Sequence, residues 1–324
     1  MIRLASRLAA AFGTLAFVAA APVVAQQKYP DRTITMIIPF GAGGSTDIVG
    51  RIAAEAMSKN LGVSMVIDNR AGAGGTIGAQ AAANAQPDGY TVTMSTTSTH
   101  VVGPLTLPTV KFNPIKDFEH VGMIAETPYV LVVSPKLPVK SVKELIDYAK
   151  KNPGKLNYGS AGEGSTTHLA GLMFLNATDT KMEHIPYKSN AESTKAVMTD
   201  EVQVLFGSMP AVLAQIKAGS IKALAVGSAV RSPELPDAPT IAEAGVPGYR
   251  ATLWLGLSAP AKTPPAVVAR LSQALDAALS NPDVAKRLSA AGAEASKMSS
   301  ADFTKLIGSE MDVYGKIVAG MKKK

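Results

Sequence analysis

The 324-residue chain has no cysteine. This excludes disulfides, thiolate metal ligands, a cysteine nucleophile and a lipid anchor on cysteine. Aromatic residues make up only 5% and do not interleave with arginine as nucleic-acid surfaces do, so no nucleic-acid partner is expected. The four histidines stand apart at 100, 120, 168 and 184. They show neither HExxH nor any other metal spacing, so no metal and no cofactor is expected. A GxxxxGK[ST] phosphate loop and a GxSxG nucleophile elbow are both missing, and Thr46 stands where a dinucleotide fingerprint needs its third glycine. These absences point away from an enzyme. They leave one enzymatic alternative, a secreted α/β hydrolase with a Ser-His-Asp set assembled from distant positions.

No segment beyond residue 27 is apolar enough, without interruption, to cross a bilayer. Before it, Arg3 and Arg7 precede the apolar run Leu8 to Val18, and Val23 and Ala25 fit the −3 and −1 positions of a signal-peptidase site. Residues 1–25 therefore read as a cleaved signal peptide, with the exported protein starting near Gln26. Without them the chain keeps 30 basic and 25 acidic residues, a net charge of +5. That balance suits an anionic small molecule without requiring one. Lys322-Lys323-Lys324 reads as a solvated tail. About 300 residues is more than one core usually holds, so two lobes are expected.

What the chain has is glycine, 28 residues, gathered where strands give way to helices. The run Pro39-Phe40-Gly41-Ala42-Gly43-Gly44-Ser45-Thr46-Asp47 follows a β-rich stretch at 33–39. It opens a helix over 45–60, with Ser45, Thr46 and Asp47 available as caps. A helix start offers unpaired N–H groups and about half a positive charge, and glycine lets a ligand come close. A phosphate or carboxylate fits there; a plain tight turn is the alternative. Next come a strand at 63–67, a second glycine turn at 69–78 opening a helix to about 85, and a strand at 90–94 ending in the hydroxyl run Ser95 to Thr99. Residues 100–120 read as irregular. Strands at 121–124 and 129–133 flank Thr127-Pro128, where the chain crosses into another lobe.

In that lobe Ser141 and Glu144 predict a capping box for a helix to Lys151. A strand at 156–158 leads into Gly159 to His168, which repeats the opening design and starts a helix through Leu175. Strands at 182–186, 202–206 and 221–226 alternate with helices at 189–199 and 210–218. A proline-rich stretch at 231–250 precedes a returning strand at 253–258, and helices at 264–279, 282–291 and 300–319 finish the chain. Repeated βα units predict a parallel sheet with right-handed crossovers and a ligand beyond the C-terminal strand ends. Two glycine-rich helix starts in two lobes describe a hinged cleft. Arg51 and Arg70 read as surface residues. His168, in the first turn of its helix, is either packed structurally or turned toward a ligand.

The motifs at Pro39 to Asp47, Asn69-Arg70 with Gly72 to Gly78, Pro87-Asp88-Gly89-Tyr90, Tyr158 to Gly162 through His168-Leu169-Ala170-Gly171, Pro186-Tyr187-Lys188, and Pro239-Thr240 to Gly248-Tyr249 together resemble the Bug-type receptors of tripartite tricarboxylate transporters. The resemblance covers nearly all of the exported chain. It implies a periplasmic solute receptor of the Venus-flytrap, type II-like kind: an α/β protein with two Rossmann-like lobes, 26–124 with 251–324 and 125–250, hinged around a carboxylate site. A monomer is expected. The resemblance implies ligand contacts from Phe40, Gly41, Ala42, Gly43, Gly44 and Asp47 on one side and from Ser160, Ala161, Gly164, Ser165, Thr166 and His168 on the other. Carbonyls of the first loop would hold ordered waters against one carboxylate, and the hydroxyls of Ser95, Thr96 and Thr97 fit the same cleft. The implied partners are a small organic carboxylate and membrane permease subunits; a receptor that signals to a sensor partner is a further alternative. Many relatives carry aspartate where Gln203 or Gly207 stands beside Phe206, and without that acid an amine-bearing ligand is less secure. The shared motifs do not distinguish one carboxylate from another.

Overall fold

The protein is described from a computed structural model covering residues 29–321; the expected signal peptide, its cleavage site and the Lys322-Lys323-Lys324 tail lie outside the described residues. Strand β1 (Ile34–Ile38), helix α1 (Ser45–Leu61), β2 (Met65–Asn69), α2 (Thr76–Ala83) and β3 (Thr91–Thr96) form a first unit. Its strands are parallel in the order β2-β1-β3. A π turn at Ser98–Val102 and a short α3 (Gly103–Thr106) follow, within the stretch that the sequence reads as irregular. Strand β4 (Phe118–Val133) then runs for 16 residues through Thr127-Pro128, where the sequence predicts two strands. After α4 (Val142–Lys151), strand β5 (Asn157–Ser160), α5 (Thr166–Thr178), β6 (Glu183–Pro186), α6 (Asn190–Thr199) and β7 (Val204–Ser208) repeat the first unit. Their strands are again parallel, in the order β6-β5-β7. Helix α7 (Met209–Lys217), β8 (Lys222–Val226), β9 (Thr252–Pro260), α8 (Pro265–Leu279), α9 (Pro282–Ala290), β10 (Glu294–Met298) and α10 (Ser300–Met321) complete the chain.

The sheet is mixed, where the repeated units predict a parallel one. Strand β9 lies antiparallel to β3 and to the first half of β4, while β7 and β8 lie antiparallel to its second half. The reason is the route of the chain. A right-handed crossover brings each parallel strand back to the same end of the sheet. Strand β9, and β4 on reaching its second half, instead arrive from the opposite lobe and run away from the cleft, against their neighbours. Both lobes thereby share one plan, β2-β1-β3-β9-β4 matching β6-β5-β7-β4-β8.

Apolar residues explain the layers. Ile34, Met36 and Ile38 of β1, Val92 and Met94 of β3, and Val49, Ala53 and Met57 on one face of α1 are buried in one cluster. Val130 and Val132 of β4, Leu205 of β7 and Val212 and Leu213 of α7 are buried in a second cluster. Ser141 Oγ accepts from Glu144 N at 3.1 Å as predicted. Glu144 Oε2, however, accepts from Lys140 N at 2.7 Å, one residue before the expected capping-box donor. Among the described residues no helix is long and apolar enough to cross a membrane.

Candidate functional site: the interlobe cleft

The loops that follow the parallel strands of both lobes meet at one cleft. Gly41 N donates to Lys188 O at 3.4 Å. A Cβ on Gly41 would lie 3.1 Å from Ser189 Cβ, and one on Gly44 would lie 3.8 Å from Asn190 N. The start of α1 therefore rests against the start of α6. A Cβ on Gly74, in the second glycine turn, would lie 2.5 Å from Glu163 O, so that turn rests against the loop before α5. Pairing is crosswise, α1 with α6 and the α2 turn with α5, as two similar lobes facing each other require. Ser98 links them directly: its Oγ accepts from Thr166 N at 2.9 Å and lies 2.6 Å from Thr166 Oγ1.

Between these loops is a cavity of about 20 Å³, room for about one water molecule. Phe40, Gly44, Ser45 and Thr46 line it from the first loop; Ser98, Tyr129 and Leu253 from the middle; Ala161, Thr167 and Asn190 from the second lobe. None of these lining residues is charged.

The first loop owes its shape to Asp47. Ser45, Thr46 and Asp47 do not cap α1, as the sequence suggests they could; the N-cap is Gly44, and no side chain bonds to the helix start there. Asp47 turns back instead. Its Oδ2 accepts from Gly43 N and Arg51 Nε, both at 2.9 Å, and its Oδ1 accepts from Asn69 Nδ2 at 3.0 Å. Asn69 Nδ2 also donates to Phe40 O at 3.0 Å. Burial raises the Asp47 carboxyl, but hydrogen bonds from Arg51, Gly43 and Asn69 outweigh it and hold the group below the usual carboxylate range. Asp47 thus braces the loop from behind, with Gly43 supplying the φ of +78° that the turn needs. The first-turn N–H groups of α1 are left without a side-chain acceptor beside the cavity, at the positive end of the helix dipole. Arg51 and Arg70 are tied to Asp47 and Asp68 and are half-exposed.

Other predicted residues are placed differently. Ser95 Oγ lies 3.0 Å from Ser258 Oγ, which in turn bonds His120 Nδ1 at 2.9 Å. Thr96 pairs with Thr99, and Thr97 Oγ1 accepts from Trp254 N. The hydroxyl that reaches the cleft is Ser98, one position further on. Ser160 Oγ accepts from Gly162 N and lies 2.6 Å from His184 Nε2. Ser160 is fully buried, and among the described residues no carboxylate hydrogen-bonds the His184 ring. Ser165 Oγ caps α5 by accepting from His168 N at 3.2 Å. Gly164, Ser165 and His168 line a separate cavity of about 670 Å³ beside Leu107 and Leu172. His168 stacks on His184, ring centroids 3.9 Å apart and 8° from coplanar. Burial, then the charge of His184, push its imidazole down to about 4.

Ser98, Tyr129, Thr167, Asn190 and Leu253 line the cavity without having been singled out in the sequence. Ser98 and Thr167 lie inside runs already marked. Tyr129 and Leu253 flank the two crossings between lobes, and Asn190 follows the Pro186-Tyr187-Lys188 motif by two residues. Burial pushes the Tyr129 hydroxyl above its usual range, with Thr166 opposing in part, so it stays a neutral donor.

Two wired-alike lobes that close over a neutral, donor-rich cavity at helix starts define a two-lobed solute-binding protein. Residues 49–322 match the profile of the tripartite tricarboxylate transporter family receptor. BugT of Bordetella pertussis is 38% identical over 85% of this chain and 84% of its own. A solved R. palustris protein with adipate is 36% identical with a TM-score of 0.88, covering 91% of this chain and 98% of that one. MatC of Rhodopseudomonas palustris, solved with bound malate, is 31% identical with a TM-score of 0.87, covering 90% and 100%. The chain belongs to the tripartite tricarboxylate transporter receptor family, and with it to the periplasmic, Bug-type solute receptors.

Proposed function

We propose that the protein is exported through a signal peptide cleaved near Gln26, binds one small organic carboxylate between its lobes as a monomer, and delivers it to the permease subunits of a tripartite transporter without chemical change. The observation that carries this reading is the open start of α1, with Gly44 as N-cap and no side chain on its first N–H groups, beside a cavity lined by no charged side chain. Such a start favours an anion by about 0.3–1 kcal/mol, and by up to ~2 kcal/mol when partly buried. Adipate and malate in the two solved relatives are anions of the fitting kind.

A cavity with room for about one water admits no organic acid, so the lobes must part for a ligand to enter and close over it. The lobes on this reading are 26–124 with 251–324 and 125–250, hinged within β4 and between β8 and β9. Phe40, Gly44, Ser45, Thr46, Ala161, Thr167 and Asn190 are the contacts, and Ser98 ties the two lobes together; Gly41, Ala42, Gly43 and Asp47 shape the first loop, and Ser160, Gly164, Ser165, Thr166 and His168 shape the second.

The test is calorimetry against a panel of dicarboxylates, tricarboxylates, amino acids and aromatic acids, beside mass spectrometry of ligand released from the purified protein. One acid bound at a ratio of one per chain, with no turnover of ester or amide substrates, is expected, as is uptake when the receptor is reconstituted with its permease. Binding of no carboxylate, or steady turnover, overturns the reading.

A further inference from the structure

The second lobe places one polar atom at the cavity that its own fold leaves unsatisfied. Asn190 is 6% exposed and lines the cavity. Its Nδ2 donates to Ser208 Oγ at 2.8 Å, and its Oδ1 has no hydrogen-bond partner among the described residues. Asn190 is the first residue of α6, held against Gly44 at the start of α1. A buried acceptor that the fold leaves without a donor is costly unless whatever occupies the cavity, water or ligand, supplies one. A donor carried by the ligand would relieve that cost.

The surroundings say which kind of donor. No carboxylate lines the cavity, so an ammonium taken out of water there would meet a carbonyl oxygen and no counter-charge. A hydroxyl carries the donor without the charge.

We infer that Asn190 selects hydroxy acids, the ligand's carboxylate lying at the open start of α1 and its hydroxyl donating to Asn190 Oδ1. The inference rests on the carboxylate reading of the site. It adds the class of acid and the residue that chooses it.

Two series test it, succinate with malate and aspartate, and phenylacetate with mandelate and phenylglycine. Within each, the carbon next to a carboxylate carries hydrogen, hydroxyl or ammonium. Calorimetry on the wild type should find the hydroxy member of whichever series binds about tenfold tighter than the unsubstituted acid, ~1.4 kcal/mol, and at least tenfold tighter than the amino acid. Asn190→Ala should bring the hydroxy and unsubstituted acids to about the same affinity. Asn190→Asp should make the amino acid the tightest of its series. Equal binding of hydroxy and unsubstituted acids by the wild type, or equal weakening of both by Asn190→Ala, overturns the inference and leaves the carboxylate reading standing. Loss of all three acids in Asn190→Asp also overturns it, because the ligand would then be meeting Nδ2. Thermal melts confirm that each variant folds, and if Asn190→Asp does not, the wild-type and Asn190→Ala ratios decide alone. No binding in either series overturns this inference, and the carboxylate reading then stands or falls on the full panel.

Discussion

The two lobes share one strand plan and enter the cleft with opposite capping. Helices α1 and α2 start after glycine, at Gly44 and Gly75, and no side chain bonds to either start, although Thr76 N at the head of α2 donates to Ala73 O. Helices α5 and α6 start after serine, and Ser165 and Ser189 accept from His168 N and Glu192 N. A capped start has used a donor within its own chain, whereas an open one keeps it for a partner. On the proposed reading the first lobe holds the anion, and the second covers it with walls, hydroxyls and one amide. Similar folds therefore need not divide a ligand evenly; the difference lies in four residues at helix ends.

Closing the open start should have the largest effect. Gly44 has φ −78° and ψ 170°, which aspartate adopts freely, and a Cβ there meets nothing nearer than Gly41 O at 3.5 Å. Gly44→Asp should cap α1 and stabilise the ligand-free protein by about 1 kcal/mol. The same carboxylate opposes the ligand's, so affinity should fall on the order of a thousandfold, ~4 kcal/mol. Calorimetry beside a thermal melt measures both. A variant that binds within tenfold of wild type places the anion somewhere other than α1.

Acid should act next, and on both lobes. His168 lies at about 4 when folded, through burial and then the charge of its stacked neighbour His184, against an unfolded value near 6.5. The unfolded chain thus binds protons first as pH falls. Stability is full above about pH 6.5 and declines toward pH 4, by roughly 2–3 kcal/mol from this group at pH 4.5. His100 and His120, buried in the first lobe, are pushed down as well, both chiefly by burial and His120 to about 4, and add parts of their own. Denaturant melts at pH 7 and 4.5 should show a smaller loss in His168→Phe, which keeps a ring in the stack. Equal losses in the two proteins would rule His168 out as a source.

Uncapping the second lobe should do the reverse of capping the first. Ser165→Ala removes the acceptor for His168 N and should cost about 1 kcal/mol of stability, with affinity changed by about twofold at most. A loss of binding much larger than the loss of stability would make Ser165 a ligand contact.

The opening loop was legible because glycine, helical spacing and a β-rich run stand side by side in it. Its cap was not. Ser45, Thr46 and Asp47 are all acceptable N-caps, and the choice is made by Asn69, 22 residues along the chain, whose amide draws Asp47 back beneath the loop. The hydroxyl run Ser95 to Thr99 is legible as a run, but not which member lines the cavity: that is Ser98, at the start of the π turn. Crosswise pairing of the loops comes from the relation between lobes, which no local pattern carries. Strand β10 escaped notice because Glu294-Ala295-Ser296-Lys297-Met298 has no apolar alternation; it is held by its pairing with β4. Asn190 had no signal of its own, since asparagine at the first turn of a helix reads as an ordinary terminus.

Ser98 probes the comparison at its finest. Its Oγ accepts from Thr166 N at 2.9 Å, so the first lobe completes the second lobe's helix start across the cleft. On the proposed reading this bond exists only while the lobes are together, and water replaces it when they part. Its worth is that of one neutral hydrogen bond against water, about 0.5–1 kcal/mol. Ser98→Ala leaves the Thr166 N–H without that acceptor in the closed form alone, so it shifts the balance of open and closed states by that amount. Apparent affinity should fall about twofold to fivefold. The change should appear in release, because the bond forms after the ligand is aboard, and the association rate should hold. Stopped-flow release against a competing acid measures this, and Ser98→Thr, which keeps a hydroxyl, should restore most of it. Unchanged release in Ser98→Ala would mean that the contact contributes nothing to closure, and the second lobe would then be held shut by the ligand itself.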